Sequence, residues 1–419
     1  MSNKAGKRLV PVLRFPEFRR EAGWEIQPLR KLAKLIEDRA GTEKYTLLSV
    51  TSGVGLVTQI EKFGREIAGN QYKNYFVIRR GDFAYNKSAT IKDPEGFIAL
   101  LESHEQAAVP NSIFTCFRLK NESNSPQFFK HLFSTNIHGN WLRRFITIGA
   151  RANGSLNIDS NDLLSLPLGL PTSLEQRKIA DCLSSIDDLI VGQAKKIEAL
   201  KAHKKGLMQL LFPAEDETLP KLRFPEFREA EEWEEKRLGD IGSVRMCKRI
   251  LKEQTSPSGD IPFYKIGTFG GVADAYISLE LFGSYRNNFP FPKNGAVLIS
   301  AAGTIGRTVR YNGELAYFQD SNIVWLDNNE NLIADNFLFY LYQLMKWAPS
   351  IGAIQRLYND NILGATIKFP AIPEQQKIAN CLSSLDDLIT AQTQKLETLK
   401  TQKAGLMQGL FPSMAEAEA

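Results

Sequence analysis

Two stretches of the chain space their apolar residues by alternating steps of four and three. The first runs through Ile179, Leu183, Ile186, Ile190, Ile197, Leu200, Leu207 and Leu211, the second through Ile378, Leu382, Leu385, Ile389, Leu396, Leu399, Leu406 and Leu410. That period is the seam of a coiled coil, where one face of each helix is buried against a partner. Polar Gln193 and Lys204 interrupt the first seam, and Gln392 and Lys403 the second. Pro171 and the Pro373-Glu374 pair suit helix starts, while Phe212-Pro213 and Phe411-Pro412 end the pattern. The spacing predicts two helices of about 35 to 40 residues, on the order of 50 to 60 Å long.

These helices are copies of one another. Residues 171–213 recur as 370–412 with 27 of 43 positions identical, and the heptapeptide LRFPEFR stands at both 13–19 and 222–228. The segments between, roughly 34–170 and 243–369, look unrelated, so two similar frames hold two dissimilar inserts. Two copies this far apart are a duplication and not a solenoid. Connectivity favours antiparallel helices, because parallel ones would force the second insert to carry the chain back along their whole length. In that arrangement the inserts stand at opposite ends, and Gln193 faces Gln392 near the midpoints, fixing register at some cost in stability. Lys204 and Lys403 then fall near Asn380 and Asp181, and the pairs Asp187-Asp188 and Asp386-Asp387 are expected as solvated flanks of the seam. Each LRFPEFR becomes a collar at an insert's base, the first copy beside the end of the second helix.

Both inserts mix β-like runs, such as YFVIRRGDFAYNK (75–87) and GAVLIS (295–300), with turn signals and short helical stretches such as NFLFYLYQLMKW (336–347). Two α/β (α+β) globules are expected, within a division into 1–170, 171–213, 214–369 and 370–419. Local parallels survive between the inserts. Gly81-Asp82 before FAYNKSATIK resembles Gly295-Ala296 before VLISAAGTIGR, and IGAR (148–151) resembles IGAIQR (351–356).

Lys and Arg outnumber Asp and Glu by 52 to 47, for a net charge of +5, which tolerates a polyanionic partner. Placement says more. No acid occurs from Ser123 to Ile158, which holds Lys130, Arg143, Arg144 and Arg151, or from Leu281 to Gly313, which holds Arg286, Lys293, Arg307 and Arg310. Spaced cations among small and aromatic residues suit a surface that meets phosphates and base edges. The loops after the two Gly-led strands supply the sharpest candidates: Asn86, Lys87, Ser88, Thr90 and Lys92 in one insert, Ser300, Gly303, Thr304, Arg307 and Arg310 in the other. Arg143, Arg144, Arg151 and Arg356 complete the set. Tight turns and local salt bridges are the alternative role for all of these, and Tyr85 and Tyr311 suit a core or rim better than a base-stacking platform.

Catalytic patterns are missing. The chain has no GxxxxGK[ST] phosphate loop, no GxSxG elbow and no HExxH pair. It also lacks the Asn/Asp-Pro-Pro-aromatic motif of amino-methyltransferases, which NNFPFP (287–292) does not match. Cys116, Cys182, Cys247 and Cys381 show no metal-ligand spacing, so free thiols, no bound metal and a cytoplasmic location are expected. No apolar run is long enough to cross a bilayer.

The repeated PTSLEQRKIADCLSSIDDLI and PAIPEQQKIANCLSSLDDLI, each followed by a long helix and GLMQxLFP, resemble the specificity subunit of type I restriction-modification systems. LRFPEFR ahead of Trp24 and Trp233 resembles the start of that family's recognition domains, and the match covers essentially the whole chain. The resemblance implies that each insert is a target recognition domain reading one half of a bipartite asymmetric site on double-stranded DNA. It implies helices that set the gap, two methyltransferase subunits on the duplicated frame, and restriction subunits that join them. Chemistry would be borrowed: no cofactor in this chain, S-adenosylmethionine in the methyltransferase partner, ATP and Mg2+ in the restriction partner. A free-standing bipartite DNA-binding regulator and a protein scaffold remain the competing classes.

Overall fold

The computed structural model describes residues 8–51, 53–146, 156–348 and 355–412. Both predicted helices are present, as Ser173–Leu211 and Ile372–Leu410. The chain divides into two compact units, residues 1–194 with 394–419 and residues 195–393. Each unit therefore owns one globular insert, the first half of one long helix and the second half of the other.

Within unit one, Ile179 and Leu183 of the first long helix share a core with Leu410 and Phe411 of the second. Further along, Asp187 meets Lys403 at 2.6 Å. Rising numbers on one helix meet falling numbers on the other, so the halves run antiparallel as expected. Unit two repeats this, with Leu211 and Phe212 beside Ile378 and Leu382, and Lys204 on Asp386 at 2.6 Å. Both pairs correct the expectations for these side chains. Each lysine reaches an aspartate six positions beyond the residues assigned to it, Asp187 in place of Asp181 and Asp386 in place of Asn380. Asp187 and Asp386 are accordingly ion-pair partners and not merely solvated flanks. The seam itself is buried chiefly toward the ends that join an insert's core. Ile179, Leu183, Ile197, Ile378 and Leu382 are buried, whereas Ile186, Ile190, Leu200, Leu385, Ile389, Leu396 and Leu399 are half-exposed. Two helices alone cannot enclose an apolar stripe.

The collar answers for the heptapeptide. Arg14 donates from Nε and Nη2 to both oxygens of Glu175, at 2.8 and 2.7 Å, and also to the carbonyls of Glu21 and Ala22. Arg223 repeats the fork on Glu374 at 2.8 and 2.7 Å and on the carbonyls of Ala230 and Glu231. A planar guanidinium satisfied on two sides suits burial as a lysine would not. The backbone is tied as well: Leu13 N donates to Gly409 O at 2.8 Å, and Leu222 N to Leu210 O at 2.9 Å. Each collar thus joins the start of one long helix to the end of the other. Aromatic rings close the joint, Phe411 against Trp24 and Phe128, and Phe212 against Trp233 and Phe337.

The inserts were expected to be dissimilar, and the structure corrects this at the level of fold. Unit one holds a four-stranded antiparallel sheet in the order Ala33–Leu35, Phe114–Leu119, Phe83–Asn86, Phe97–Leu100. Unit two holds the same order in Gly242–Arg245, Ile323–Asn328, Val297–Ser300, Thr308–Arg310. The second strands are offset by 323 − 114 = 209 positions, as are the LRFPEFR copies by 222 − 13 = 209. Burial pattern and turn geometry preserve the sheet where identity is lost. Gly81 and Gly295 both lie at positive φ, 91° and 95°, turning the chain into equivalent strands.

A helix covers each sheet, Pro126–Ser134 in unit one and Asp335–Leu344 in unit two. Its start is fixed by the glutamine after the clamped glutamate. Gln176 Oε1 accepts from Ser125 N, and Gln375 Oε1 from Ala334 N. Six residues on, His131 Nε2 lies 3.1 Å from Ser184 Oγ with its Nδ1 3.9 Å from Asp187, while Tyr340 OH donates to Asp386 at 2.8 Å. The positions correspond, since 340 − 131 = 209.

Two outcomes follow from these joints. Glu175→Ala leaves Arg14 buried without its anion and is expected to cost about 3 to 5 kcal/mol in chemical denaturation, whereas replacing both Arg14 and Glu175 by methionine costs much less; equal losses for the two variants would count against the clamp. Burial holds the His131 pKa down to about 4, against the pull of Asp187 and with the help of Lys403. Unfolded histidine, with a pKa of about 6.5, binds the proton that folded His131 refuses. Stability from this group is therefore complete above about pH 6.5 and is lost as pH falls toward about 4, by at most about 3 kcal/mol. Buried His138, whose pKa is also lowered by burial, adds to the loss in the same unit. Hydrogen exchange, corrected for intrinsic rates, should show unit one loosening first on acidification, and His131→Tyr should reduce the effect.

Candidate nucleic-acid interface

In unit one the candidate loop leaves the strand Phe83–Asn86 and returns at Phe97. Its polar groups largely shape the loop. Asn86 Oδ1 accepts from Ser88 N at 3.1 Å, and Thr90 Oγ1 accepts from Asp93 N at 2.9 Å. Lys87 and Ser88 are half-buried, while Thr90 and Lys92 are exposed. Tyr85 belongs to the core, its hydroxyl donating to Glu95 O at 2.7 Å.

The equivalent loop of unit two joins Val297–Ser300 to Thr308–Arg310. Ser300, a sequence candidate for contact, is buried at 1% exposure. Its hydroxyl donates to Thr304 O and accepts from Arg307 N at 2.8 Å, so it ties the loop's two ends together. Gly306, at φ 78°, admits no side chain, because a Cβ there would lie 2.3 Å from Trp347 Cδ1. Gly303, Thr304 and Arg307 face outward. Tyr311, like Tyr85, is a core residue, with its hydroxyl on Glu314 O.

Folding also revises the charge argument. The stretches without acids are acid-free only along the chain. Arg143 pairs with buried Glu95 at 2.7 Å, Lys130 with Glu102 at 2.8 Å, and Lys293 with Glu330. Arg144 stacks over Trp141 at 4.1 Å. Arg310 lies 4.6 Å above Phe339, with Nε and Nη2 buried and lacking hydrogen-bond partners among the described residues. Arg356 donates to Ser321 O, and Arg151 lies outside the described residues. The two loops are thus brought to exposed tips carrying Lys92 and Arg307, whereas Ser300 and Arg310 are committed to the fold and Arg143, still largely exposed, is paired with Glu95.

Sequence reasoning passed over the neighbours of these tips. A Cβ at Gly53 would lie 3.7 Å from Lys92 Nζ, and one at Gly270 3.4 Å from Arg307 Nε. Both neighbours are glycine turns, GVG at 53–55 and GGV at 270–272, and glycine clustering was the signal available. A cavity of about 820 Å3 in unit two, bordered by Met208, Phe212, Leu344 and Trp347, contains none of the candidate residues. No helix among the described residues is long and apolar enough to cross a membrane.

Two α+β domains of one design, each clamped to halves of a duplicated helix pair and each presenting a different loop, define a modular two-unit protein. Residues 230–401 match the family model described as the type I restriction modification DNA specificity domain. It is 55% identical over 160 residues to a putative type I restriction enzyme specificity subunit of Haemophilus influenzae, a stretch spanning 38% of this chain and only 42% of that relative. A putative MjaX specificity subunit of Methanocaldococcus jannaschii is 24% identical over 92% of both chains. Among solved structures, the S subunit from M. genitalium superposes with a TM-score of 0.60 at 16% identity, covering 97% of this chain and all of that one. A chain from a study of complex assembly and conformational transition in the type I system gives 0.55 at 18% identity over 93% of this chain and 98% of that one. At such identities the likeness establishes the fold.

Ser300→Ala is expected to destabilise the unit-two loop by about 1 to 3 kcal/mol, since Arg307 N would lose a buried acceptor. Arg307→Ala should leave thermal stability within about 0.5 kcal/mol, as an exposed substitution does. Thermal melts of the two variants separate a shaping residue from an outward-facing one.

Proposed function

We propose that this chain is the DNA-reading subunit of a type I restriction-modification complex. Each insert would read one half of a bipartite asymmetric site, and the helix pair would set the gap between halves. The carrying observation is that one sheet design occurs twice on a duplicated frame while its outward loops differ. Unlike loops on like scaffolds suit unlike half-sites, and a repeated frame offers equivalent docking surfaces to two copies of one partner. Lys92 and Arg307 would meet phosphates or guanine edges.

On this reading the chain performs no chemistry itself. Two methyltransferase subunits would bring S-adenosylmethionine and flip an adenine in each half-site for N6 methylation. Restriction subunits with ATP and Mg2+ would join that core, in the cytoplasm. The chain's own task would be sequence choice and positioning.

Mobility shifts with and without a coexpressed methyltransferase subunit test this. Tight sequence-specific binding that requires the partner is expected; tight binding by the chain alone would favour a free-standing regulator, and no binding in either case a scaffold. Removing one heptad from both helices should change the tolerated gap and leave the half-sites unchanged when modified adenines are mapped. Exchanging residues 34–170 for another insert should replace one half-site only.

A further inference from the structure

Two glycine turns stand beside the candidate loops, and each carries an exposed valine. In unit one the hairpin Leu48–Thr51 and Gly55–Thr58 turns through Gly53 and Val54, with Val54 N donating to Thr51 O at 3.0 Å. Gly53 and Gly55 lie at φ 75° and 105°, and Val54 is 71% exposed. In unit two a turn follows the strand Ile261–Tyr264, pinned by buried Phe269 and by Gly271 N on Thr268 O at 2.9 Å. Gly270 lies at φ 72°, and Val272 is 86% exposed.

Duplication does not account for the pair. Val272 follows Val54 by 272 − 54 = 218 positions, off the 209-residue frame that relates the collars and the central strands. One valine sits on a hairpin and the other on an irregular turn. Yet each turn stands beside the cation of the neighbouring loop, since a Cβ added at Gly53 would lie 3.7 Å from Lys92 Nζ and one at Gly270 3.4 Å from Arg307 Nε. Neither valine buries its side chain in a core, and Ile91 beside Lys92 is a third exposed apolar side chain at the unit-one tip.

On the DNA reading proposed above, we infer that Val54 and Val272 are specificity-determining contacts, each set against the thymine methyl of its own half-site. Glycine lets the backbone approach closely, and the neighbouring cation takes a phosphate. The valine then meets the C5-methyl of thymine, the apolar feature of the major-groove edge.

The test uses the chain with its methyltransferase partner. Modified adenines are first mapped, and duplexes of the mapped site are then titrated with wild-type, Val54→Ala and Val272→Ala complexes. Each substitution is expected to weaken binding roughly tenfold through one half-site only. Replacing one thymine of that half-site by uracil removes the methyl and should produce the same loss, with no further loss in the valine variant. Melting temperatures of the variants should match wild type, because both side chains are exposed. The inference is overturned by unchanged affinities, by losses in both half-sites at once, by additive losses with uracil, or by a half-site that contains no thymine. If the wild-type complex modifies no defined sequence, the DNA reading itself falls; if it does so and the variants behave alike, only this inference falls.

Discussion

The buried fork between a collar arginine and a helix-start glutamate is the constraint on which each unit depends. Arg14 on Glu175 and Arg223 on Glu374 hold three chain segments at one point: the heptapeptide, the first turn of a long helix, and the carbonyls preceding Trp24 or Trp233. Taking both charges out of water is expensive, and an apolar cluster would hold as well or better. What an apolar cluster lacks is direction. A bidentate fork accepts one orientation of its partner, so it fixes how the insert leaves the helix, and it does so identically in both units.

Polarity continues up the same helix face in a graded way. The glutamine beside each clamped glutamate caps the covering helix of its insert, and six positions past the capped residue a side chain of that helix meets the aspartate held by the opposing lysine. That side chain is histidine in unit one and tyrosine in unit two. The frame's half of each contact is the same and the insert's half is free to vary, provided it can hydrogen-bond an aspartate or its neighbour. An insert is thus fastened by positions that carry little of its own identity.

Much of this was legible in the sequence. The seam, helix ends and antiparallel sense followed from a spacing that physics ties to one geometry. Position in space was less legible. Lys403 was expected near Asp181 and reaches Asp187, because the collar and aromatic joint, not the seam residues alone, set the register. The common sheet was hidden because a strand needs alternation and a turn, not particular residues, and Gly81 and Gly295 were its only clear markers. The ion pairs within the inserts were hidden for a related reason. Local absence of acids says nothing about Glu95 or Glu102, which lie tens of residues away in sequence and beside Arg143 and Lys130 in the fold.

The candidate loops divide their residues between shape and surface, and that division makes variation cheap. Ser300, Gly306 and Asn86 spend their chemistry inside the loop, so replacing them disturbs the backbone that others rely on. Lys92, Arg307, Val54 and Val272 face solvent and contribute little to the core, so replacing them changes what the surface presents and almost nothing beneath it. A domain held at its base by a fixed polar clamp, and varied only at side chains that the fold does not need, can change the surface it presents without renegotiating its stability. The physical separation between clamp and tip, more than any single contact, is what allows one frame to carry two different surfaces.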